Sequence, residues 1–246
     1  MRLEILLFFL LGLIFGSFIN SLVYRLYHNL TLWERSFCLN CRKTLAFFDL
    51  IPFFSFLFLG GKCRYCHKQI SWQYPFIELI TGVLFALVWL KYQTIDLLLF
   101  RDLFFVLVLI FIFVFDLKYY LILDKIVWPA LIVAFVFNLI LDIGIWSLVF
   151  GAIIGSGFFL LQFLLSSGKW VGLGDAKLGA LIGVMLGWQL TLLTVVIAYL
   201  IGGLTAIILL ILKKKKFGDV LPMGTFLTSA AVIVLLWGEI ILNWYF

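Results

Sequence analysis

Apolar runs of about twenty residues recur along the chain and limit what it can fold into. Such a run matches the thickness of a bilayer's hydrocarbon core when it is helical. Candidate spans are the N-terminal run to about Tyr24, then 74–91, 97–115, 126–142, 144–165, 176–187, 189–212 and 222–243. The stretch 176–212 is too long for one crossing, and Gly187-Trp188-Gln189 marks the break. Composition agrees: 65% of residues are hydrophobic and 12% charged, far from the balance of a soluble domain. The expected fold is an all-α polytopic membrane protein with about eight transmembrane helices. The first run is too long for a signal-peptide core and no small-residue cleavage site follows it, so it reads as a retained helix. Gly12 and Gly16, Gly151 and Gly155, and Gly179, Gly183 and Gly187 recur every four residues, a spacing that lets helices approach closely. Asn20, near the end of the first helix, needs a polar partner.

Residues 28–73 break the apolar pattern and hold every cysteine, as Cys38-Leu39-Asn40-Cys41 and Cys63-Arg64-Tyr65-Cys66. Two Cys-x-x-Cys pairs offer a tetrahedral set of four thiolates and point to a structural zinc ribbon, although their separation is slightly longer than usual. Local disulfides and redox thiols are the alternatives, and His67 is a minor candidate for a ligand. The apolar stretch 47–59 is too short to span and reads as lying against the bilayer surface or under the ribbon. The expected organisation is a first transmembrane helix (1–27), a four-cysteine domain (28–73) and a membrane-embedded domain (74–246).

Eight spans fix an orientation. With the cysteine segment inside, Arg25, Arg35, Arg42, Lys43, Lys62, Arg64, Lys68, Lys118, Lys125, Lys169, Lys177 and the lysines at 213–216 all face the cytoplasm. Only Arg2, Lys91 and Arg101 then fall outside or near the far edge, as the positive-inside rule requires. A reducing compartment favours zinc over disulfides. The lysine run reads as an anchor near anionic lipid and not as a nucleic-acid patch.

Two carboxylates stand out in that topology. Asp116 ends one apolar run and Asp175, in Gly172-Leu173-Gly174-Asp175-Ala176-Lys177, begins another, with two spans between them. Both therefore fall on the cytoplasmic face. Paired acids next to hydrocarbon share a proton, and one can polarise a peptide carbonyl while the other deprotonates water. Asp175 could instead be a plain helix cap, Asp116 could pair with Lys118, and Asp124 is a rival partner. Gly172 and Gly174 would let a substrate backbone come close. A different class, a transporter or channel using aspartates at the membrane rim, suits intramembrane acids in general. Transporters commonly place such acids near the midplane, however.

Gly16-Ser17-Phe18-Ile19-Asn20, the two Cys-x-x-Cys pairs, Tyr74-Pro75 with Glu78, Asp116 through Asp124, Gly172-Leu173-Gly174-Asp175 with Lys177, and Leu221-Pro222-Met223-Gly224 occur in that order. Together they resemble the type IV prepilin peptidases, the GxGD class of membrane aspartyl protease, over nearly the whole chain. The resemblance implies Asp116 and Asp175 as the catalytic pair, with Gly172, Gly174, Lys177 and Asp124 in the active-site loops. It implies cleavage after a glycine, on the cytoplasmic side of a bacterial inner membrane, of the basic leader of prepilins or pseudopilins for pili, secretion or competence. It also implies N-methylation with S-adenosylmethionine, associated with the cysteine segment and Gly61-Lys62. Two features depart from the family pattern. Leu123 stands where the Asp116 motif usually has proline, and Met223 and Thr225 replace the phenylalanine and second proline of Pro-Phe-Gly-Pro. No glycine-rich nucleotide loop follows a strand, so methylation rests on the resemblance alone. Oligomeric state is not legible.

Overall fold

The computed structural model describes residues 2–32, 34–216 and 218–245, and its regular structure is helical throughout. Two compact units divide the chain, Met1–Ile95 and Asp96–Phe246. This boundary places the helix that begins near residue 74 with the first unit, so the division of function expected at 73/74 is not a division of packing.

In the first unit, α1 (Arg2–Tyr27) packs along α3 (Gln73–Tyr92). Their backbones nearly touch: a Cβ on Gly12 would stand 2.6 Å from Gly82 Cα. Asn20 is buried and has found its partners in the first turn of α3. Its side-chain amide donates to the Tyr74 carbonyl at 3.2 Å and its oxygen accepts from Gln73 Nε2 at 3.4 Å. The chain between these helices forms the cysteine segment, a 3-10 turn (Phe47–Leu50) and the short α2 (Phe54–Phe58). Neither short element can span, and their phenylalanines Phe47, Phe48 and Phe58 are left exposed, as a surface-lying segment would leave them.

The second unit holds α4 (Leu97–Tyr119), α5 (Asp124–Ile140), α6 (Ile145–Ser166), α7 (Leu173–Leu186), α8 (Trp188–Ile211) and α9 (Met223–Tyr245). Across both units, six described helices (α1, α3, α4, α6, α8 and α9) are long and apolar enough to cross a membrane. The other two expected spans are shorter, 17 residues in α5 and 14 in α7. At 1.5 Å per residue α7 measures about 21 Å, less than the roughly 30 Å of a hydrocarbon core. Within this unit α4 is the central helix, with 67% of its most apolar stretch buried against 11% for α8. The apolar side chains that α8 leaves uncovered suit a lipid-facing position.

Close packing of α7 on α6 comes from the glycine ladders. A Cβ on Gly183 would lie 2.2 Å from the Gly151 backbone, and one on Gly179 2.3 Å from the Gly155 carbonyl oxygen. The break between α7 and α8 is a single residue, Gly187, at φ +78°. Gly183→Leu is expected to lower the thermal stability of the protein in lipid nanodiscs, because overpacking of this kind costs about 1–3 kcal/mol. Gly157→Leu, on α6 but facing open space, should leave the unfolding temperature unchanged or slightly raised.

Candidate active site and metal centre

The two cysteine pairs fold as two matching knuckles. In the first, Cys38 N–H donates to the Lys43 carbonyl and Arg42 N–H donates back to Cys38 O, each at 2.9 Å. In the second, Cys63 N–H donates to Lys68 O and His67 N–H to Cys63 O, again at 2.9 Å. Antiparallel bridges close each loop, Phe37 with Thr44 and Lys62 with Gln69. Arg42 (φ +59°) and His67 (φ +56°) occupy the same left-handed position, so His67 is a turn residue. It does not join the metal cluster, which among the described residues contains the four cysteines alone.

Sγ atoms of Cys38, Cys41, Cys63 and Cys66 all lie within 4.8 Å of one another, and those of Cys38 and Cys66 are 3.9 Å apart. Four sulfurs around zinc at about 2.3 Å from the metal stand about 3.8 Å from each other. The donor set therefore fits a closed structural zinc. The backbone N–H of Lys68 and the Asn40 amide (3.6 Å) hold the Cys66 thiol down to about 6, the thiolate form a metal needs.

Gly61, at φ +71°, is shaped by the same segment: a Cβ there would press on the Phe56 ring at 3.0 Å. Lys62 is held by its bridge to Gln69. Both residues thus frame the first unit's interior; Phe56 and Gln69, which they position, line its cavity.

In the second unit, α4 ends when Tyr120 turns left-handed (φ +55°) and its N–H closes on the Asp116 carbonyl at 2.8 Å. This leaves Asp116 in the last turn of α4 with only 5% of its surface exposed. The Thr225 backbone N–H, in the first turn of α9, donates to Asp116 Oδ2 at 2.7 Å. Gly224 makes that approach possible, since a Cβ on it would stand 2.8 Å from the same oxygen. Proline at 225, the residue usual in the resembled motif, has no N–H to give. Leu123 sits at φ −83° and ψ +121°, close to the region proline itself adopts, so the loop before α5 keeps its path.

Asp175 lies in the first turn of α7, 8% exposed. Its Oδ2 accepts the Gly172 N–H at 2.9 Å, so it does help close the start of the helix. The expected helix-capping role is therefore met. Ile122 lies between the two segments: its side chain would meet a Cβ on Gly174 at 3.1 Å and one on Gly224 also at 3.1 Å. The space beside Gly174 is thus filled by the chain's own Ile122, whereas the face of Gly172 meets only its own turn.

The rival pairings resolve differently. Lys118 lies over the Tyr119 ring, 5.3 Å from its centre. Asp124 takes Lys177, whose Nζ reaches both carboxylate oxygens at 2.7 and 2.8 Å. That pair is half exposed and ties the start of α5 to the first turn of α7.

A second network, unread in the sequence, holds the other end of α7. The Asn138 amide nitrogen donates to the carbonyls of Val184 (2.6 Å) and Met185 (3.2 Å), in the last turn of α7. Arg101 in turn donates to Asn138 Oδ1 at 3.3 Å and to Asp102 at 2.9 Å, and Asp102 is wholly buried. Arg101, in the second turn of α4, is buried against its neighbours.

Two substitutions test these arrangements. Cys63→Ser should reduce zinc in the purified protein from one equivalent to a small fraction, read by elemental mass spectrometry. Asn138→Leu strands two carbonyls and Arg101, and should lower stability by about 1–3 kcal/mol per orphaned group, read by thermal unfolding in nanodiscs.

Comparison with known proteins follows the same division. Residues 10–92 match the Bacterial Peptidase A24 N-terminal domain family, and residues 103–207 match the Type IV leader peptidase family. A "Prepilin leader peptidase/N-methyltransferase" of Bacillus subtilis (strain 168) is 33% identical, covering 96% of each chain. Proteins of the same name from Aeromonas salmonicida (strain A449), 31% identical over 97% of this chain and 92% of its own length, and from Pseudomonas aeruginosa, 32% identical over 96% and 91%, are similarly related. No solved structure matches the chain. With both family models matched in order and relatives aligned over nearly its whole length, this chain belongs to the type IV leader peptidase family of proteases.

Proposed function

We propose that the protein is an aspartyl endopeptidase that removes the leader of type IV prepilins or pseudopilins at the cytoplasmic face of a bacterial inner membrane, cutting after a glycine. The observation that supports this reading is that Asp116 and Asp175, about sixty residues apart in sequence, are both buried, and that Ile122 packs beside Gly174, next to Asp175, and beside Gly224, whose first-turn position lies against Asp116. Two carboxylates of this kind divide the work of peptide hydrolysis. The protonated acid donates to the scissile carbonyl oxygen while the ionised one accepts a proton from the attacking water. The Thr225 N–H bonds to one Asp116 oxygen, and Gly172 N–H to one of Asp175, so each carboxyl is held in a defined orientation.

Asp124 and Lys177 serve as a clamp. Their ion pair holds the loop that follows Asp116 against the turn that carries Asp175. The cytoplasmic orientation is supported by the basic residues of the cysteine segment and of the loops that carry Lys118, Lys125, Lys169 and Lys177. The zinc, held by Cys38, Cys41, Cys63 and Cys66, would cross-link the two knuckles and supply folding energy, with no position left for chemistry. The relatives' names also carry N-methylation, which we assign to the first unit, where Gly61 and Lys62 lie.

Co-expression with a candidate prepilin, followed by mass spectrometry of the mature N-terminus, tests the assignment. Asp116→Ala and Asp175→Ala should each abolish leader removal while the protein still inserts and retains zinc. Asp124→Ala and Lys177→Ala should keep cleavage within about tenfold of the parent, since an exposed pair contributes about 1 kcal/mol or less. Unimpaired cleavage by either of the first two variants would refute the assignment.

A further inference from the structure

Between the end of α4 and the start of α5 the chain runs through only Tyr120, Leu121, Ile122 and Leu123, and both ends of this link are tied. Tyr120 N–H closes on Asp116 O at 2.8 Å, and the N–H groups of Ile126 and Val127 close on Leu123 O at 3.0 and 3.1 Å. The next residue, Asp124, is paired with Lys177 in the first turn of α7. A link this short, anchored on both sides, gives the Ile122 side chain a fixed station.

That station borders both acid-bearing turns. A methyl group added at Gly224 would stand 3.1 Å from Ile122 Cδ1 and 2.8 Å from Asp116 Oδ2, so one such group would touch both. On the other side, a methyl at Gly174, the residue before Asp175, would meet Ile122 Cβ at 3.1 Å and Cδ1 at 3.4 Å. Carbon atoms rest about 3.5–4.0 Å apart at their optimum. Neither place has room for one more carbon. Gly172 differs: the atoms nearest to a methyl there are Asp175 Oδ2 at 3.7 Å and Gly174 N at 3.8 Å. The site is open past Gly172 and closed toward Ile122.

Hydrolysis by two acids brings the attacked carbonyl carbon up to their carboxyl groups, and the Cα of the same residue follows at about 1.5 Å. A side chain on that residue would begin in the layer that Ile122 fills. Glycine has none to place. We propose that Ile122 is the specificity-determining residue that confines the cut to the bond after a glycine, by occupying the space a side chain there would need. The proposal rests on the reading that the protein is the leader peptidase described above. It deepens that reading by naming the wall that selects the residue at the cut.

The test uses the full-length, zinc-loaded protein in lipid nanodiscs, given an equimolar mixture of two forms of one candidate prepilin. The forms differ only in the last leader residue, glycine or alanine, and mass spectrometry of the released leaders gives the ratio of cleavage. Both forms compete for the same enzyme molecules, so the ratio is independent of how much of a variant is folded. The parent should favour glycine by about tenfold or more, within the roughly 10–200-fold that one methyl group decides in a fitted pocket. Ile122→Ala should reduce that preference by about tenfold. Ile122→Val keeps the Cβ that faces Gly174 and loses the Cδ1 that faces Gly224, so its ratio should fall between the two. A parental ratio in Ile122→Ala overturns the role of Ile122; if that variant cuts neither form, a parental ratio in Ile122→Val does so instead. A parent that removes both leaders equally well overturns this proposal and leaves leader cleavage standing. A parent that cuts no prepilin overturns the peptidase reading itself, and this proposal with it.

Discussion

The short helix α7 can hold an acid at a fixed place only if its far end is also fixed. Fourteen residues do not cross a bilayer, so its last carbonyls come to rest within the protein instead of at a water surface. Asn138 takes two of them, and Arg101 with Asp102 secures Asn138. The same cation stands near the negative end of the α7 dipole. Since Arg101 and Asp102 belong to α4, the helix that carries Asp116 is joined through Asn138 to the helix that carries Asp175. The glycine contacts with α6 then leave α7 little room to slide. The position of Asp175 is thus a consequence of how α7 is seated along its whole length.

Much of this arrangement could be read from residue types and spacing. Asp116 and Asp175 stood out because acids at the ends of apolar runs are rare, and the structure buries both. The four-cysteine cluster was legible because Cys-x-x-Cys twice offers a complete ligand set. The break at Gly187 followed from segment length. What stayed hidden depends on three-dimensional neighbours. Arg101 sits close enough to a helix end to pass for a boundary residue, and only the position of Asn138 reveals its interior role. Ile122 looks like any apolar loop residue, yet it packs between the turn that carries Asp175 and the start of α9. Gly174 invited an open approach for substrate, and the chain fills that space itself.

The two departures from the resembled motifs have different physical meanings. Leu123 keeps a backbone conformation that proline would also accept, so the substitution changes rigidity more than shape. Thr225 changes the chemistry of the site, because it brings a backbone donor that proline lacks and aims it at Asp116. The sequence shows both as missing prolines. Only the hydrogen bond separates a tolerated replacement from one that adds a contact.

The two attachments of α7 also differ in their exposure to solvent. At the Asp175 end, Lys177 and Asp124 meet where their side chains are 36% and 54% exposed, so dissolved ions reach them. At the opposite end the Arg101 and Asp102 side chains are only 11% and 0% exposed. With a Debye length of about 8 Å at physiological ionic strength, added electrolyte weakens the first attachment and leaves the second almost untouched. The helix is thus a lever with one insulated pivot, and the medium acts only on the end that carries Asp175.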